Sequence, residues 1–239
     1  MNRLYLEMIV AAVIVAVAAA AWVLSASVSG ALVACRVSVY NLSLSGNLSL
    51  EVAGVELKVE EGAGSNLRVK TCGLCNPIVE ARGDTLRIGV EQEIPLVPVC
   101  RVEAELSIPR LRWLGVEARG ASVALREIRV DVLKVDAAGA AINGKVYVDE
   151  RLEIAASGSS VTLEARMPPN ATGRITGSGA TVTLMLDTDA RIHVGAEASL
   201  AGASIATPDC RGERGPTIVI GDAADASIIV QCKPRRETL

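Results

Sequence analysis

Apolar and polar residues alternate along most of the chain, and between Leu114 and Thr207 this alternation repeats around single glycines. Before each glycine the even offsets are apolar, and after it the odd offsets are apolar. A two-residue period indicates β-strands, and its change of phase requires a turn of the chain, which glycine permits. Each repeat is therefore predicted to be two short strands bent at a glycine corner. The corners lie 19, 19, 21 and 23 residues apart, at Gly120, Gly139, Gly158, Gly179 and Gly202.

One such unit cannot bury its apolar side alone, so the repeats are expected to stack in parallel register, about 4.8 Å apart. The sequence thus predicts an all-β fold, a single parallel β-solenoid with rungs of about 19 residues, preceded by one N-terminal transmembrane helix. The positions three after the glycines would then be interior neighbours on consecutive rungs: Val123, Ile142, Val161, Val182 and Ile205.

Outward columns of the repeat are also predictable. Five residues before the glycine, charges of alternating sign predict an exposed cross-rung ion ladder, in which each pair contributes about 0.2–1 kcal/mol. Two residues after the glycine, small hydroxyl side chains predict an uncharged stripe. The ladder consists of Lys134, Glu153, Arg174 and Glu197, and the stripe of Ser122, Ser160, Thr181 and Ser204.

The alternation and its punctuation divide the chain into four parts. Residues 1–34 are predicted to be a transmembrane signal-anchor or a signal peptide, and residues 35–110 a β lead-in that caps the N-terminal end. Residues 111–232 would form the solenoid, with Ile218–Val230 as its last rung, and residues 233–239 a charged tail.

The apolar run Met8–Leu24 is long enough to span a bilayer. Its length favours an uncleaved anchor over a cleaved signal peptide, and Arg3 before it favours a cytoplasmic N-terminus. The expected location is therefore the cell membrane, with a single pass and the bulk of the chain on the extracytoplasmic side. Leu32–Cys35 has the form of a bacterial lipoprotein box, so lipidation of Cys35 is an alternative.

The cysteines favour disulfides in such a compartment, and their pairing stays open. Cys210 and Cys232 flank the predicted last rung and could staple the C-terminal end. The pair Cys72 and Cys75 also has the spacing of a redox motif or half a zinc site. No thioredoxin-like setting accompanies it, and only Cys100 and Cys35 could supply the second ligand pair of a zinc site. The disulfide candidates are Cys35, Cys72, Cys75, Cys100, Cys210 and Cys232, and the N-glycosylation candidates are Asn41, Asn47 and Asn170.

Composition narrows the function. The chain has 239 residues, a net charge of −3, 2% aromatic residues and no Phe. The charge gives no nucleic-acid footprint, and the aromatic content predicts no supply of platforms on which sugars or bases could stack. No metal or other cofactor is expected.

Catalytic groups are sparse in the repeat. Glu117 and Asp136 align on adjacent rungs, but the column continues with uncharged residues, so the acidic cluster is predicted to stop at two. His193 is the only histidine and occupies a polar, outward offset. No nucleophile elbow accompanies it, so we expect no enzyme activity. The column after Asp136 consists of Ala155, Thr176 and Ser199.

The series Gly83–Ile88, Val102–Pro109 and Leu114–Val123, followed by glycine-cornered rungs, resembles the bacterial and archaeal β-strand-repeat proteins called putative adhesins, which have no known function. The resemblance covers most of residues 50–230. It implies an extracytoplasmic β-solenoid on an N-terminal membrane anchor and transfers no catalytic residue.

The expected function is therefore that of a membrane-anchored, extracytoplasmic surface module with a structural or adhesin-like interaction role. Its partner would be an envelope polymer or a surface protein that meets the flat strand faces, and the oligomeric state stays open. Two alternatives remain: a carbohydrate-active enzyme on a β-helix scaffold, which would need carboxylates from three or more rungs to converge, and an envelope protein lipid-anchored through Cys35.

Overall fold

The structure is a computed structural model, and it describes residues 35–73, 75–92, 100–195, 198–211 and 215–233. Within these ranges the regular structure is entirely β, and there is no helix long and apolar enough to cross a membrane. The predicted anchor at residues 1–34 and the tail beyond Lys233 lie outside the described residues. The strands are β1 (Cys35–Asn41), β2 (Asn47–Ala53), β3 (Glu56–Glu61), β4 (Asn66–Gly73), β5 (Cys75–Arg82), β6 (Thr85–Gln92), β7 (Cys100–Ile108), β8 (Leu111–Arg119), β9 (Ser122–Ala138), β10 (Ala141–Ser157), β11 (Ser160–Arg166), β12 (Thr172–Ser178), β13 (Thr181–Leu186), β14 (Arg191–Val194), β15 (Ser204–Ala206), β16 (Thr217–Ala224) and β17 (Ser227–Cys232).

Most strands form two-strand layers that bend at a residue with positive φ. At Gly120, Gly139, Gly158 and Gly179 the φ angles are 55–58°, and no atom lies within 4 Å of the position a Cβ would take. Glycine is therefore required there for its conformation and not for lack of space. Further corners lie at Gly54, with φ 66°, at Gly202, with φ 69°, and at Asp225, with φ 50°.

The layers stack into two extended faces. We call the side formed by strands that precede a corner the pre-corner face, and the side formed by strands that follow a corner the post-corner face; each includes the antiparallel strands that extend it at the N-terminal end. The pre-corner face consists of β5, β6, β2, β8, residues 132–138 of β9, residues 151–157 of β10, β12, β16 and β14. The post-corner face consists of β1, β4, β7, β3, residues 122–130 of β9, residues 141–148 of β10, β11, β13, β17 and β15.

In the middle of the stack the layers follow one another in chain order. Ile142 is the register partner of both Val123 and Val161, and Val161 is in turn the partner of Val182. All four side chains are at most 1% exposed. The predicted interior column is therefore confirmed over these layers, and it supplies the narrow aliphatic core shared by both faces.

At both ends the spatial order departs from the chain order. The β2–β3 layer lies between the β6–β7 layer and the layer of β8 and early β9. The β16–β17 layer lies between β12–β13 and β14–β15. The prediction that Ile218–Val230 forms the last rung is therefore wrong.

Burial explains why β16–β17 lies inside. Ile218, Ile220, Ile228 and Val230 are fully buried there, and burial of each contributes about 1.5–3 kcal/mol. The four-residue β14 and three-residue β15 form the terminal layer instead, with Val194 48% exposed. A short layer with few apolar side chains leaves the least apolar area exposed when it lies at the end of the stack.

The prediction of a single parallel β-solenoid is wrong, because the β structure mixes parallel and antiparallel pairs; the transmembrane helix predicted before it lies outside the described residues. β4 pairs antiparallel with β1 and β7, and β5 pairs antiparallel with β6. The turn at Gly83 and Asp84 closes β5 and β6 into a two-residue hairpin. Parallel and antiparallel strands share the same two-residue period, so the alternation in residues 35–110 could not separate them.

All three disulfides lie at the ends of the stack. Cys35–Cys72 joins β1 to β4, Cys75–Cys100 joins β5 to β7, and Cys210–Cys232 ties the segment after β15 to β17. The prediction that the cysteines form disulfides is confirmed. The two cysteines of the Cys-x-x-Cys motif bond to different partners, which rules out a redox pair between them.

Candidate interaction site on the pre-corner face

A partly exposed aromatic ring lies on the pre-corner face. In β8 the side chains of Leu114, Val116 and Ala118 are buried, and the alternate positions face outward. Gly115 faces outward and is nevertheless buried, because the indole of Trp113 covers it. A Cβ at position 115 would lie 2.4 Å from Cη2 and 2.9 Å from Cζ2 of that ring. The ring therefore lies along the strand and stays partly exposed to solvent.

A row of charged side chains crosses four neighbouring strands beside this ring. Arg87 of β6 is the register partner of Glu51 of β2, and Glu51 is the partner of Glu117 of β8. Glu117 is in turn the partner of Asp136 of β9. Three carboxylates from three consecutive layers thus stand in line. Beyond Arg87 the row meets Glu80 of the hairpin strand β5, which is paired with Arg82 at 3.4 Å.

The glycine repeats in the sequence predict only two of the four charged residues of this row. Glu117 and Asp136 were predicted to align, and they do; Ala155 continues the row on β10. Glu51 and Arg87 join it because the β2–β3 layer stands between β6 and β8. The signal for Glu51 was present in the sequence, since Gly54 is flanked by the same phase change as the other corners. The neighbours of that layer could not be read from it.

Most charged side chains of this row have no ion-pair partner among the described residues. The guanidinium of Arg119 donates a hydrogen bond to Glu117. Glu51, Arg87 and Asp136 form no ion pair within the described ranges. A shallow cavity of about 390 Å³ opens over this region, lined by Glu51, Val52, Ala53, Arg87, Glu117 and Arg119.

The site holds donors and acceptors in balance. Its carboxylates only accept hydrogen bonds when ionised, and its guanidinium groups only donate them. Lys134, the register partner of Gly115, adds a third cation next to the ring. Within the described chain no group of three or more His, Cys, Asp and Glu side chains is arranged to hold a metal ion. The arrangement can bind a polar, hydrogen-bonding ligand with one apolar side.

On the post-corner face the charged side chains at the N-terminal end form ion pairs with one another. Arg101 lies 3.1 Å from Glu56 and 2.8 Å from Glu103, and Glu103 also lies 3.2 Å from Lys70. These ion pairs connect β3, β4 and β7 at the N-terminal end. Farther along, the predicted hydroxyl stripe follows the register, with Ser160 beside Thr181 and Thr181 beside Ser227. Ser227, in the β16–β17 layer, lies between Thr181 and Ser204 in the register.

A second charged region lies on the side where the layers connect, opposite the corners. Arg110 donates hydrogen bonds to Asp131 at 3.1 Å and Asp149 at 2.7 Å. The hydrogen bond to Asp131, with the charge of Asp149, raises the pKa of Arg110. The Arg129 guanidinium lies 5.3 Å from the ring centre of Tyr147.

In the same region, Lys145 donates a hydrogen bond to Glu127 at 2.8 Å. This bond lowers the pKa of Glu127 and raises the pKa of Lys145. Arg129 and Arg166 are paired with Glu61 and Asp187 at 3.7 and 3.4 Å. Because the cations here already have anionic partners, the region holds the connections together and offers little free binding capacity.

The predicted ion ladder is present in register without ion pairs between its rungs. Glu153 is the partner of Lys134 and Arg174, but its ion pair is with Arg151, at 3.8 Å on its own strand. The strand next to Arg174 is β16, and there the register partner of Arg174 is Val219. Glu197 lies outside the described residues. The full ladder therefore stays a prediction.

The remaining candidate residues lie on the surface. His193 of β14 is exposed and is the register partner of Val219. Asn41, Asn47 and Asn170 are exposed, and their glycosylation stays a prediction.

No protein-family model matches the chain, and no curated protein does. Among solved structures it is similar to a putative cell adhesion protein from Clostridium sporogenes, with 9% identity and a TM-score of 0.45 over 84% of this chain and 100% of that one. It is also similar to a putative adhesin from Bacteroides fragilis, with 11% identity and a TM-score of 0.44 over 82% and 97%. A putative adhesin from Parabacteroides merdae gives 13% identity and a TM-score of 0.42 over 83% and 95%. At these values no residue and no role is transferred from those proteins to this chain.

Proposed function

We propose that this chain is an extracytoplasmic, non-catalytic interaction module of adhesin type, which holds its ligand on the pre-corner face around Trp113. The observation that carries the proposal is the partly exposed indole on Gly115, next to the row of Glu51, Glu117 and Asp136, in which Glu51 and Asp136 have no ion-pair partner among the described residues. Aromatic side chains contribute strongly to binding where they offer flat apolar area at little entropic cost.

The disulfides support the proposed compartment. Structural disulfides persist outside the cytoplasm and are rare in reducing compartments. Here they join strands at the N-terminal end and tie the segment after β15 to β17 at the C-terminal end, where an open sheet edge would otherwise invite aggregation. A module fixed in this way is suited to the outside of a cell.

The alternative of a carbohydrate-active enzyme gains one observation, because carboxylates from three layers do stand in one row. Glycoside hydrolysis requires, besides a carboxylate, a carboxylic acid that an apolar environment keeps protonated. Glu51 and Asp136 are exposed, and Glu117 contacts Arg119. None of these carboxyls has the apolar enclosure of a general acid, so the row favours binding over hydrolysis. Release of reducing ends from envelope polysaccharide by the purified chain would support the enzyme instead.

The experiment is a binding assay of the purified full chain on cell envelopes of the organism that encodes it. Trp113→Ala should weaken binding about tenfold or more, because an aromatic anchor typically contributes more than 1 kcal/mol. Thr183→Ala, on the post-corner face, is the matched control and should bind as the unaltered chain does. Equal binding by Trp113→Ala and the unaltered chain would refute the site. No binding by the unaltered chain would refute the proposed function.

A further inference from the structure

We infer that the ligand of the Trp113 site is a neutral glycan chain, an inference that rests on the proposed function and names its ligand class. The platform gives the first reason. Because Gly115 has no side chain, the indole lies at the level of the sheet instead of lining a deep pocket. A side chain of a protein partner is held best in a closed pocket, whereas a pyranose ring needs only a flat aromatic surface against its C–H side.

The polar row gives the second reason. Sugar hydroxyls donate and accept hydrogen bonds at once, and adjacent hydroxyls suit planar two-pronged groups. Glu51, Glu117 and Asp136 supply acceptors, while Arg87 and Arg119 supply donors. Carboxylate and guanidinium groups are the side chains with this two-pronged geometry. A ligand with only donors or only acceptors would leave half of this row unused.

The charge balance decides between a neutral and a charged chain. The three carboxylates stand among three cations, Arg87, Arg119 and Lys134. Glu80, beside Arg87 on β5, has its charge balanced by an ion pair with Arg82. A polyanion would face the carboxylates, and a polycation would face the guanidinium groups, each at a cost in like-charge repulsion. A neutral glycan avoids both costs.

The extent of the row indicates a chain rather than a single sugar. Arg87 and Asp136 lie three strand spacings apart, about 14 Å along the axis of the stack. Trp113 stands in a parallel column, two residues along β8 from Gly115 and four from Glu117. Several consecutive sugar units would therefore be in contact at once, with one of them on the indole.

The test measures binding of the purified full chain to the same envelopes after two separate treatments, periodate, which cleaves vicinal diols in sugars, and protease. Binding lost after periodate and kept after protease, with less than a threefold change between 0.05 and 0.5 M salt, is the expected result. Binding lost after protease and kept after periodate would overturn the glycan while the proposed function stands. A steep loss with salt would overturn the neutral charge of the ligand.

Conservative variants distinguish a loss of binding from a loss of folding. Trp113→Phe retains a ring over Gly115 and should bind less than threefold more weakly, whereas Trp113→Ala should lose about tenfold or more. Glu51→Gln keeps the side-chain shape and should lose about threefold or more, because it replaces a charged acceptor. Thermal unfolding of each variant checks that the layers remain formed. Full binding by correctly folded Trp113→Ala and Glu51→Gln would contradict the inference.

Discussion

The middle of the stack and its N-terminal end are built from the same two-strand layer, and they differ in order. Between Gly120 and Gly179 each layer rests on its predecessor in the chain, no disulfide is present, and the outward row at the position of Glu117 runs on to Ala155 and Thr176. At the N-terminal end, the exchange of layers extends the same row to Glu51 and Arg87. The regular repeats form the buried core, whereas the change in layer order at the N-terminal end brings the charged side chains of the candidate site together.

The largest effect is expected from a charge in the middle of the stack. Val161 is fully buried between Ile142 and Val182, so Val161→Asp should cost about 3–5 kcal/mol of unfolding free energy and abolish both faces together. Urea unfolding followed by circular dichroism measures this. The control is Thr162→Asp, the next residue, which points outward and should change stability by about 0.5 kcal/mol or less. Similar midpoints for both variants would contradict the interior column.

The C-terminal end should respond separately from the middle. The cysteines of Cys210–Cys232 are 22 residues apart, so replacing both by Ser should cost about 3 kcal/mol. Because β15 forms the terminal layer and the disulfide ties the segment after it to β17, hydrogen exchange should rise in β15 and β17 and stay unchanged in β9 and β10. A uniform rise along the whole stack would show that the disulfide does not act on the end alone.

Gly144 and Gly158 differ in the space around them. A Cβ on Gly144 would lie 2.1 Å from the carbonyl oxygen of Leu125 on β9, and its φ of 159° also disfavours a side chain, so Gly144→Ala should cost about 1–3 kcal/mol. At Gly158 the surroundings are open, and only its φ of 55° resists a side chain. Gly158→Ala should therefore cost about 1 kcal/mol. The reverse order in thermal unfolding would contradict this assignment.

The smallest effect is expected at the exposed pair of Glu127 and Lys145. The pKa of Glu127 is lowered in the folded chain, so its contribution is present above the unfolded pKa and is lost as pH falls through the folded one. The pKa of Lys145 is raised, so its contribution is lost only as pH rises through that value. Lys145→Gln should thus lower the unfolding midpoint slightly at pH 7. At pH 3 the difference should shrink, and a difference that grows on acidification would contradict the pairing.

How far the sequence predicted the fold depended on local signals. The phase change at glycine predicted the corners and the interior column, because side-chain direction is set by neighbours along the chain. Asp225 was missed because it adopts a positive φ without being glycine. The direction of β1, β4 and β5 was missed because both kinds of pairing share one period.

The candidate site was predictable only in part. Glu117 and Asp136 belong to consecutive layers in the chain, so their alignment followed from the repeat. Glu51 and Arg87 reach the site through the order of layers, which depends on the total apolar area buried by each arrangement and not on any single residue. Trp113 lies seven residues before a corner, beyond the columns that the alignment covered.

The order of layers at the N-terminal end is the central claim, and engineered cysteine pairs test it most directly. Glu51→Cys with Glu117→Cys places cysteines on neighbouring strands, about 4.8 Å apart, within reach of a disulfide. Arg87→Cys with Glu117→Cys places them two strands apart, about 10 Å, which is too far. Peptide mapping by mass spectrometry should find the first disulfide and not the second. The second without the first would mean that β6, and not β2, lies beside β8, and the site described above would not exist.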